Sequence, residues 1–288
     1  DQLLHLLRKA ARLWREDRAG VLVTGDTLTA HLQQEGQARP GTPSRELVRQ
    51  AVSQFAQSYD ERWGGFGAAP KFPTPHNLIF LLRYAQLAKE EHAREMALHT
   101  LNNMYRGGLF DHVGGGFSRY STDQHWLVPH FEKMLYDNAL LALAYTEAFQ
   151  HARCPIYGKI TRRTLDYVLR ELSGPQGGFC CGQDADSDGV EGKYYALIPD
   201  ELAQALGGVD GLRFCQWYGI TPEGNFEGKS IPNLLGQSQF DQDSEDMAAL
   251  REQVYAYRLS RTALHRDDKV LTAWNGLAMA ALARAGLV

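Results

Sequence analysis

The chain has 288 residues, 44% hydrophobic and 22% charged, with a formal charge of -4, enough to bury a large core as one helical toroid or as two ordinary domains. A pI near 6.2 and the lack of any lysine and arginine run give no attraction to a phosphate backbone or an anionic membrane, so no nucleic-acid or membrane partner is expected. No apolar stretch reaches the roughly 20 residues that span a bilayer and the N-terminus lacks the order of a signal peptide, which makes the cytoplasm the expected location.

In chain order, Leu3 to Arg18 reads as an amphipathic helix, followed by a second around Asp26 to Gln34 and a polar, proline-bearing linker from Gln37 to Pro43. Residues 1–43 are therefore expected to be a helical lead-in to a domain at 44–288. Beyond the linker, apolar residues recur at helical spacing in Val48 to Tyr59, Leu78 to Ala85, Leu165 to Leu172 and Met247 to Tyr257. The fold class is all-α. Strand-like alternation is confined to Gly116 to Ser121 and Lys193 to Leu197, which suit local β-hairpins in the loops, and no extended sheet is expected.

Gly-Gly-Phe returns at Gly64-Gly65-Phe66, Gly115-Gly116-Phe117 and Gly177-Gly178-Phe179, with two helical stretches in each interval. Repeated helical hairpins bury their apolar faces only by stacking, which grows a solenoid or closes a ring. Long loops at Gly64 to Pro73, Gly107 to Pro129, Gly174 to Pro199 and Thr221 to Asn233 would gather at one end of a ring.

The segment from Gly107 to Asn138 feeds Asp111, His112, Arg119, Tyr120, His130, Glu132, Lys133, Tyr136 and Asp137 toward one place. Spacing predicts a helix from about Pro129 that puts His130, Lys133 and Asp137 on one face, with Glu132 and Tyr136 beside them. The plainer alternative is a solvated face with one Lys133 to Asp137 pair. The apolar run Ala139 to Ala144 marks a helix buried on most sides, so its charged start points into a cavity.

Asp184, Asp186, Asp188 and Gly189 match the opening of an EF-hand loop, but Tyr195 at the twelfth position cannot supply the bidentate carboxylate. No metal and no cofactor are expected. The competing uses of Asp184, Asp186 and Glu191 are acid/base work or sugar-hydroxyl contacts, or a turn whose aspartates cap their own backbone. Asp267-Asp268-Lys269 leads into Trp274 and Asn275, an indole for stacking and an amide for paired hydrogen bonds. The four cysteines form no C-x-x-C pair, and His31, His76, His92 and His151 have no partner in sequence.

Five ordered blocks resemble the spermatogenesis-associated protein 20 family: Gly64 to Pro73, Gly107 to Asn138, Gln183 to Ser187 with Glu191-Gly192, Gly224 to Gly228, and Asp267 to Leu277. The resemblance runs from about residue 45 to the end. It implies an αα-hairpin toroid similar to six-hairpin glycosidases and N-acylglucosamine 2-epimerases, following a thioredoxin-like domain that this chain lacks. It also implies a central cleft holding Asp111, His112, Arg119, His130, Glu132, Asp184, Asp186, Asp268 and Trp274. His265 stands where the family often has proline. Roughly eight or nine helices are expected after Pro43, fewer than a complete ring, so the toroid is expected to be incomplete here.

The expected function is carbohydrate chemistry in that cleft. In glycoside hydrolysis, Asp184 or Asp186 protonates the glycosidic oxygen while Asp111, Glu132 or Asp268 activates water. In sugar epimerisation, His112 and His130 remove and return a proton. Arg119, Tyr120, Lys133, Tyr136, Asp137, Glu191, Lys269, Trp274 and Asn275 would contact a saccharide-like ligand. The alternative is a non-catalytic toroid that binds a saccharide or protein and positions an upstream thioredoxin-like domain.

Overall fold

The computed structural model describes residues 2–36, 41–242 and 244–288, so the part of the expected linker at 37–40 lies outside the described residues. The chain divides into two compact units, 1–49 and 50–288. The first carries α1 (Gln2–Glu16) and α2 (Arg18–Glu35). The helix expected to run to Arg18 stops at Glu16, because Asp17 leaves helical geometry and its carboxylate accepts the Gly20 N–H at 3.0 Å. That N-cap starts α2 well before Asp26.

In the second unit, following α3 (Arg45–Ser58), come three helical hairpins: α4 (Pro75–Ala88) with α5 (Glu91–Arg106), α6 (Leu135–Ala152) with α7 (Pro155–Glu171), and α8 (Pro199–Leu206) with α9 (Gly208–Trp217). Then α10 (Glu245–Arg261) packs on the third hairpin and α11 (Thr272–Ala285) on α6 and α7. This is the expected all-α arrangement of the αα-toroid class. No helix among the described residues is long and apolar enough to cross a membrane.

The row α4, α6, α11 forms because α6 offers little bulk on its flanks. Ala139, Ala142, Ala144 and Ala148 are buried and let the neighbouring helices approach. Between them Tyr145 fills the larger gap, with its ring stacked on Phe117 and its hydroxyl donating to the Leu101 carbonyl at 2.7 Å. A buried tyrosine needs such an acceptor.

The strands are two residues each: β1 (Tyr120–Ser121), β2 (Pro129–His130), β3 (Lys133–Met134), β4 (Gly182–Gln183), β5 (Asp186–Ser187), β6 (Val190–Glu191) and β7 (Arg266–Asp267). Antiparallel pairing gives β1-β2, β3-β4-β7 and β5-β6. Gly116 to Ser121 thus contributes β1, while in Lys193 to Leu197 residues 192–195 form a turn and Leu197 bridges to Ser230. The helix expected from Pro129 begins only at Leu135, since the backbone of 129–134 is extended and pairs with two other loops. Alternation along that extended stretch buries Phe131 and Lys133 and leaves His130 and Glu132 half-buried. The helical face shared by His130, Lys133 and Asp137 does not exist.

The Gly-Gly-Phe repeat has one structural meaning. Each phenylalanine closes a bridge to an earlier residue of its own loop: Tyr59 with Phe66, Phe110 with Phe117, Ser173 with Phe179. The intervening turns need left-handed glycines, and at Gly116 (φ +78°) a Cβ would also sit 2.5 Å from the Tyr167 ring. In two repeats the phenylalanine backbone is then clamped by an asparagine in the first turn of the next row helix. Asn138 accepts the Phe117 N–H at 2.7 Å and donates to its carbonyl at 3.0 Å. Asn275 does the same to Phe179 at 2.7 and 2.9 Å.

Replacing Asn138 with alanine removes both clamps and a bond to the Met134 carbonyl. The variant should lose about 2–4 kcal/mol of unfolding free energy in urea titrations, and a loss within error of zero would show that the clamp does not order the loop.

Candidate functional site

The polar residues sort into a sealed group and an open one. Asp111 belongs to the first. Its carboxylate takes both Arg258 Nη atoms at 2.9 and 2.8 Å, Lys133 Nζ at 2.8 Å, and the N–H groups of Val113 and Gly114 at 3.0 Å. Burial works to raise its pKa, but Arg258 and Lys133 reverse that and hold it well below the usual carboxylate range. Lys133, pushed down to about 8 by burial, also donates to the Gly115 carbonyl at 2.7 Å and lies over the Tyr167 ring. The guanidinium of Arg258 lies over Tyr194.

With every acceptor direction filled, Asp111 has no lone pair left to activate water, and its expected catalytic role is withdrawn. Lys133, expected to contact the ligand, is spent on Asp111 and does not form the alternative pair with Asp137. His112 is fully buried, bonded through Nε2 to the Gly107 carbonyl at 3.0 Å, and burial with Arg163 nearby pushes its pKa down to about 3. It is a neutral core imidazole and cannot trade protons with a ligand. Asn275, spent on Phe179, is not a ligand amide either.

The open group lies where β1, β2, the start of α6 and the β5-β6 hairpin meet. Phe72, Tyr120 and His130 stack in sequence, with centroids 4.9 and 5.2 Å apart. His130 Nδ1 meets Glu191 Oε1 at 2.9 Å, and its Nε2 faces Glu132 Oε2 at 3.5 Å. Arg119 donates to Glu132 at 3.1 Å, and its neighbour Tyr136 packs against Trp274 with centroids 4.7 Å apart.

Behind Tyr136 sits Asp137, nine-tenths buried, its Oδ2 without a hydrogen bond. Burial pushes its pKa up to about 7; Tyr136 and Arg119 oppose the rise and Glu132 adds to it. Near neutral pH this carboxyl exchanges a proton, unlike Asp111.

Sheet register adds a second pair. Lys133 lies opposite Gln183 and Gln183 opposite Arg266. One residue further, Asp184 is opposite His265, its N–H donating to the His265 carbonyl at 3.0 Å, and its Oδ2 meets His265 Nδ1 at 2.9 Å. One residue beyond the paired β3-β4 positions, alternation puts Glu132 and Asp184 on the same side of their strands. His265 was invisible as a site residue in sequence, because its partner Asp184 is 81 positions away.

The other expected residues fare differently. The aspartate series is a hairpin, not an ion loop: Asp188 (φ +53°) and Gly189 (φ +73°) form its two-residue turn, and Asp188 pairs with Lys193 at 2.7 Å. No group of metal-ligating side chains occurs among the described residues. Lys269 is held by Asp267 at 2.9 Å, while Asp186 and Asp268 stand exposed.

Two variants test this sorting. Asp137 holds its proton more tightly folded than unfolded, so folding takes one up between about pH 4 and 7 and stability falls as pH rises through that window. Asp137→Asn should therefore be more stable than the parent by about 2–4 kcal/mol at pH 8 and indistinguishable near pH 4; equal stability at both would refute the buried acid. Asp111→Asn strands two buried cations and should cost about 3–5 kcal/mol in the same titration, whereas an unchanged midpoint would show the triad to be dispensable.

No family model matches the chain. It is similar to spermatogenesis-associated protein 20 of Homo sapiens, 36% identical over 98% of this chain and 42% of that protein, and of Mus musculus, 35% identical over 98% and 41%. Among solved structures it overlaps a cellobiose 2-epimerase from Bacillus thermoamylovorans, with 14% identity, TM-score 0.41, 48% of this chain and 41% of that one. It also overlaps a family 76 glycoside hydrolase from a bovine Bacteroides thetaiotaomicron strain, with 9% identity, TM-score 0.38, 76% and 43%. These structural overlaps are partial, and the chemistry of the site stands on its own side chains. The chain resembles spermatogenesis-associated protein 20 along nearly its whole length and spans about two fifths of the length of the curated relatives it matches.

Proposed function

We propose that the open group binds a sugar and moves a proton at a carbon beside its carbonyl, the chemistry of epimerisation or isomerisation. One observation carries this: two imidazoles, His130 and His265, each have Nδ1 held by a carboxylate at 2.9 Å. In the His265 pair Nδ1–H donates to Asp184 and leaves Nε2 as the proton acceptor, whereas His130, with Glu191 at Nδ1 and Glu132 facing Nε2, is set up as the proton donor. His265 Nε2 takes the carbon-bound proton, and the electron pair moves to the carbonyl oxygen as an enediolate. His130, carrying a proton on each nitrogen between Glu191 and Glu132, gives its Nε2 proton to the opposite face of that carbon and is left neutral. Arg119 and the Tyr136 hydroxyl steady the oxyanion.

The aromatic faces support a sugar in particular. Phe72, the exposed end of the stack, and Trp274 offer flat apolar surfaces beside carboxylates that accept from hydroxyl groups, the usual pairing around a pyranose ring. Hydrolysis is the second reading, favoured by Asp137: a carboxyl that keeps its proton near neutral pH beside Glu132 matches an acid and its partner carboxylate.

The test is incubation with a panel of aldoses and ketoses in deuterium oxide, followed by NMR at C2, beside aryl glycosides for release of the leaving group. Deuterium incorporation should fall by about 10²–10⁴-fold in His265→Ala and His130→Ala. Aglycone release that depends on Asp137 would replace epimerisation by hydrolysis. Sugar binding with neither reaction would leave the non-catalytic module.

A further inference from the structure

We propose that Asp137 is a positioning residue that decides which way the Tyr136 hydroxyl points its proton, an inference that rests on the proton-transfer reading above. Both residues stand in the first turn of α6. Tyr136 is half-buried, and its hydroxyl shares hydrogen bonds with the Arg119 guanidinium on one side and the Asp137 carboxyl on the other. Asp137 is nine-tenths buried, and no donor reaches its Oδ2.

A phenol hydroxyl has one proton to give and two lone pairs to fill. Arg119 can only donate, so it fills one lone pair. The use of the proton and of the second lone pair then depends on Asp137. An ionised carboxylate only accepts, so it draws the hydroxyl proton inward and leaves an oxyanion without it. A protonated carboxyl donates into the second lone pair, and the tyrosine proton is free to turn outward. The Tyr136 hydroxyl can steady an enediolate only in that second state.

The surroundings favour the second state up to neutral pH. Burial is the main cause, Glu132 adds to it, and only Tyr136 and Arg119 favour the ionised form. Arg119 is itself shared with Glu132 at 3.1 Å, which weakens its hold on Asp137. The helices packed on α6 add no charge here: α4, α7 and α11 meet it through apolar clusters, with Leu135 and Ala139 against Leu165, Val168 and Ala278 at this end.

The measurement is kcat for deuterium incorporation at C2 of glucose, mannose and fructose by the full chain, followed by NMR from about pH 5 to 9. In Asp137→Asn the amide nitrogen can donate to Tyr136 at every pH, so the ratio of its kcat to that of the parent should rise about tenfold per pH unit above neutrality. That ratio cancels the ionisations of His130 and His265, which both proteins share. In a Tyr136→Phe background the same ratio should stay level with pH, whereas a gain that came only from the greater stability of the asparagine variant would persist there. A ratio that is level with Tyr136 in place, or that rises as steeply without it, overturns the positioning role and leaves the proton-transfer reading standing. Loss of exchange in Asp137→Asn at every pH also overturns it, by making Asp137 a direct proton donor. No exchange by the parent with any of the three sugars overturns the reading and the positioning role together.

Discussion

The buried triad of Asp111, Arg258 and Lys133 is the interaction on which the rest of the domain depends. It ties three segments remote in sequence: the glycine-rich loop after α5, the strand before α6, and the end of α10. Three charges with a net positive balance would be costly in an apolar interior. Here the carboxylate is saturated by five donors, and the two cations rest on the faces of Tyr167 and Tyr194. The geometry leaves little freedom, because moving any one segment strands a charge.

That constraint reaches the open site through strand alternation. Fixing Lys133 inward on β3 forces Glu132 outward, and the register across β4 and β7 then sets Asp184 and His265 in the same outward row. At the other end of the short strand the chain turns directly into α6, so Tyr136 and Asp137 occupy its first turn with no linker between core and site. Side chains positioned by strands and a helix start hold their geometry better than those on free loops. Asp111 and Asp137 show how differently one fold treats two buried acids. The first, surrounded by cations, never holds a proton at working pH, while the second, lacking a full set of donors, does.

Helix content and the hairpin repeat were legible in the sequence because they rest on local periodicity and on glycines that only left-handed turns require. Val48 to Tyr59, Leu78 to Ala85, Leu165 to Leu172 and Met247 to Tyr257 all fall on helices, apart from one or two end residues. The start of α6 was misread for a definite reason. Pro129 and the i, i+3, i+7 spacing satisfy helical rules, but the backbone of 129–134 finds partners in β1 and β4, and no local pattern encodes a pairing with Gly182-Gln183. Residue type also could not separate Asp111 from Glu132, or His112 from His130, since the sorting depends on Arg258 and Glu191, far along the chain.

The Gly-Gly-Phe repeat links these two levels. A motif that looked like turn chemistry alone proves to be half of a device whose other half is an asparagine at the fourth position of the next row helix, Asn138 in α6 and Asn275 in α11. Each clamp fixes a loop against a helix start, and it is at those starts that Tyr136, Asp137 and Trp274 stand. An asparagine facing a backbone N–H and C=O satisfies both with one planar amide, so the loop is held without burying a charge. The residues that first suggested a ligand amide at Asn275 thus serve the ligand site indirectly, by fixing the two helix ends whose aromatic rings meet at Tyr136 and Trp274. Because both clamps act on backbone groups, the loops between them can change sequence while the two helix starts keep their places, which leaves the acids and imidazoles free to diverge on a constant frame.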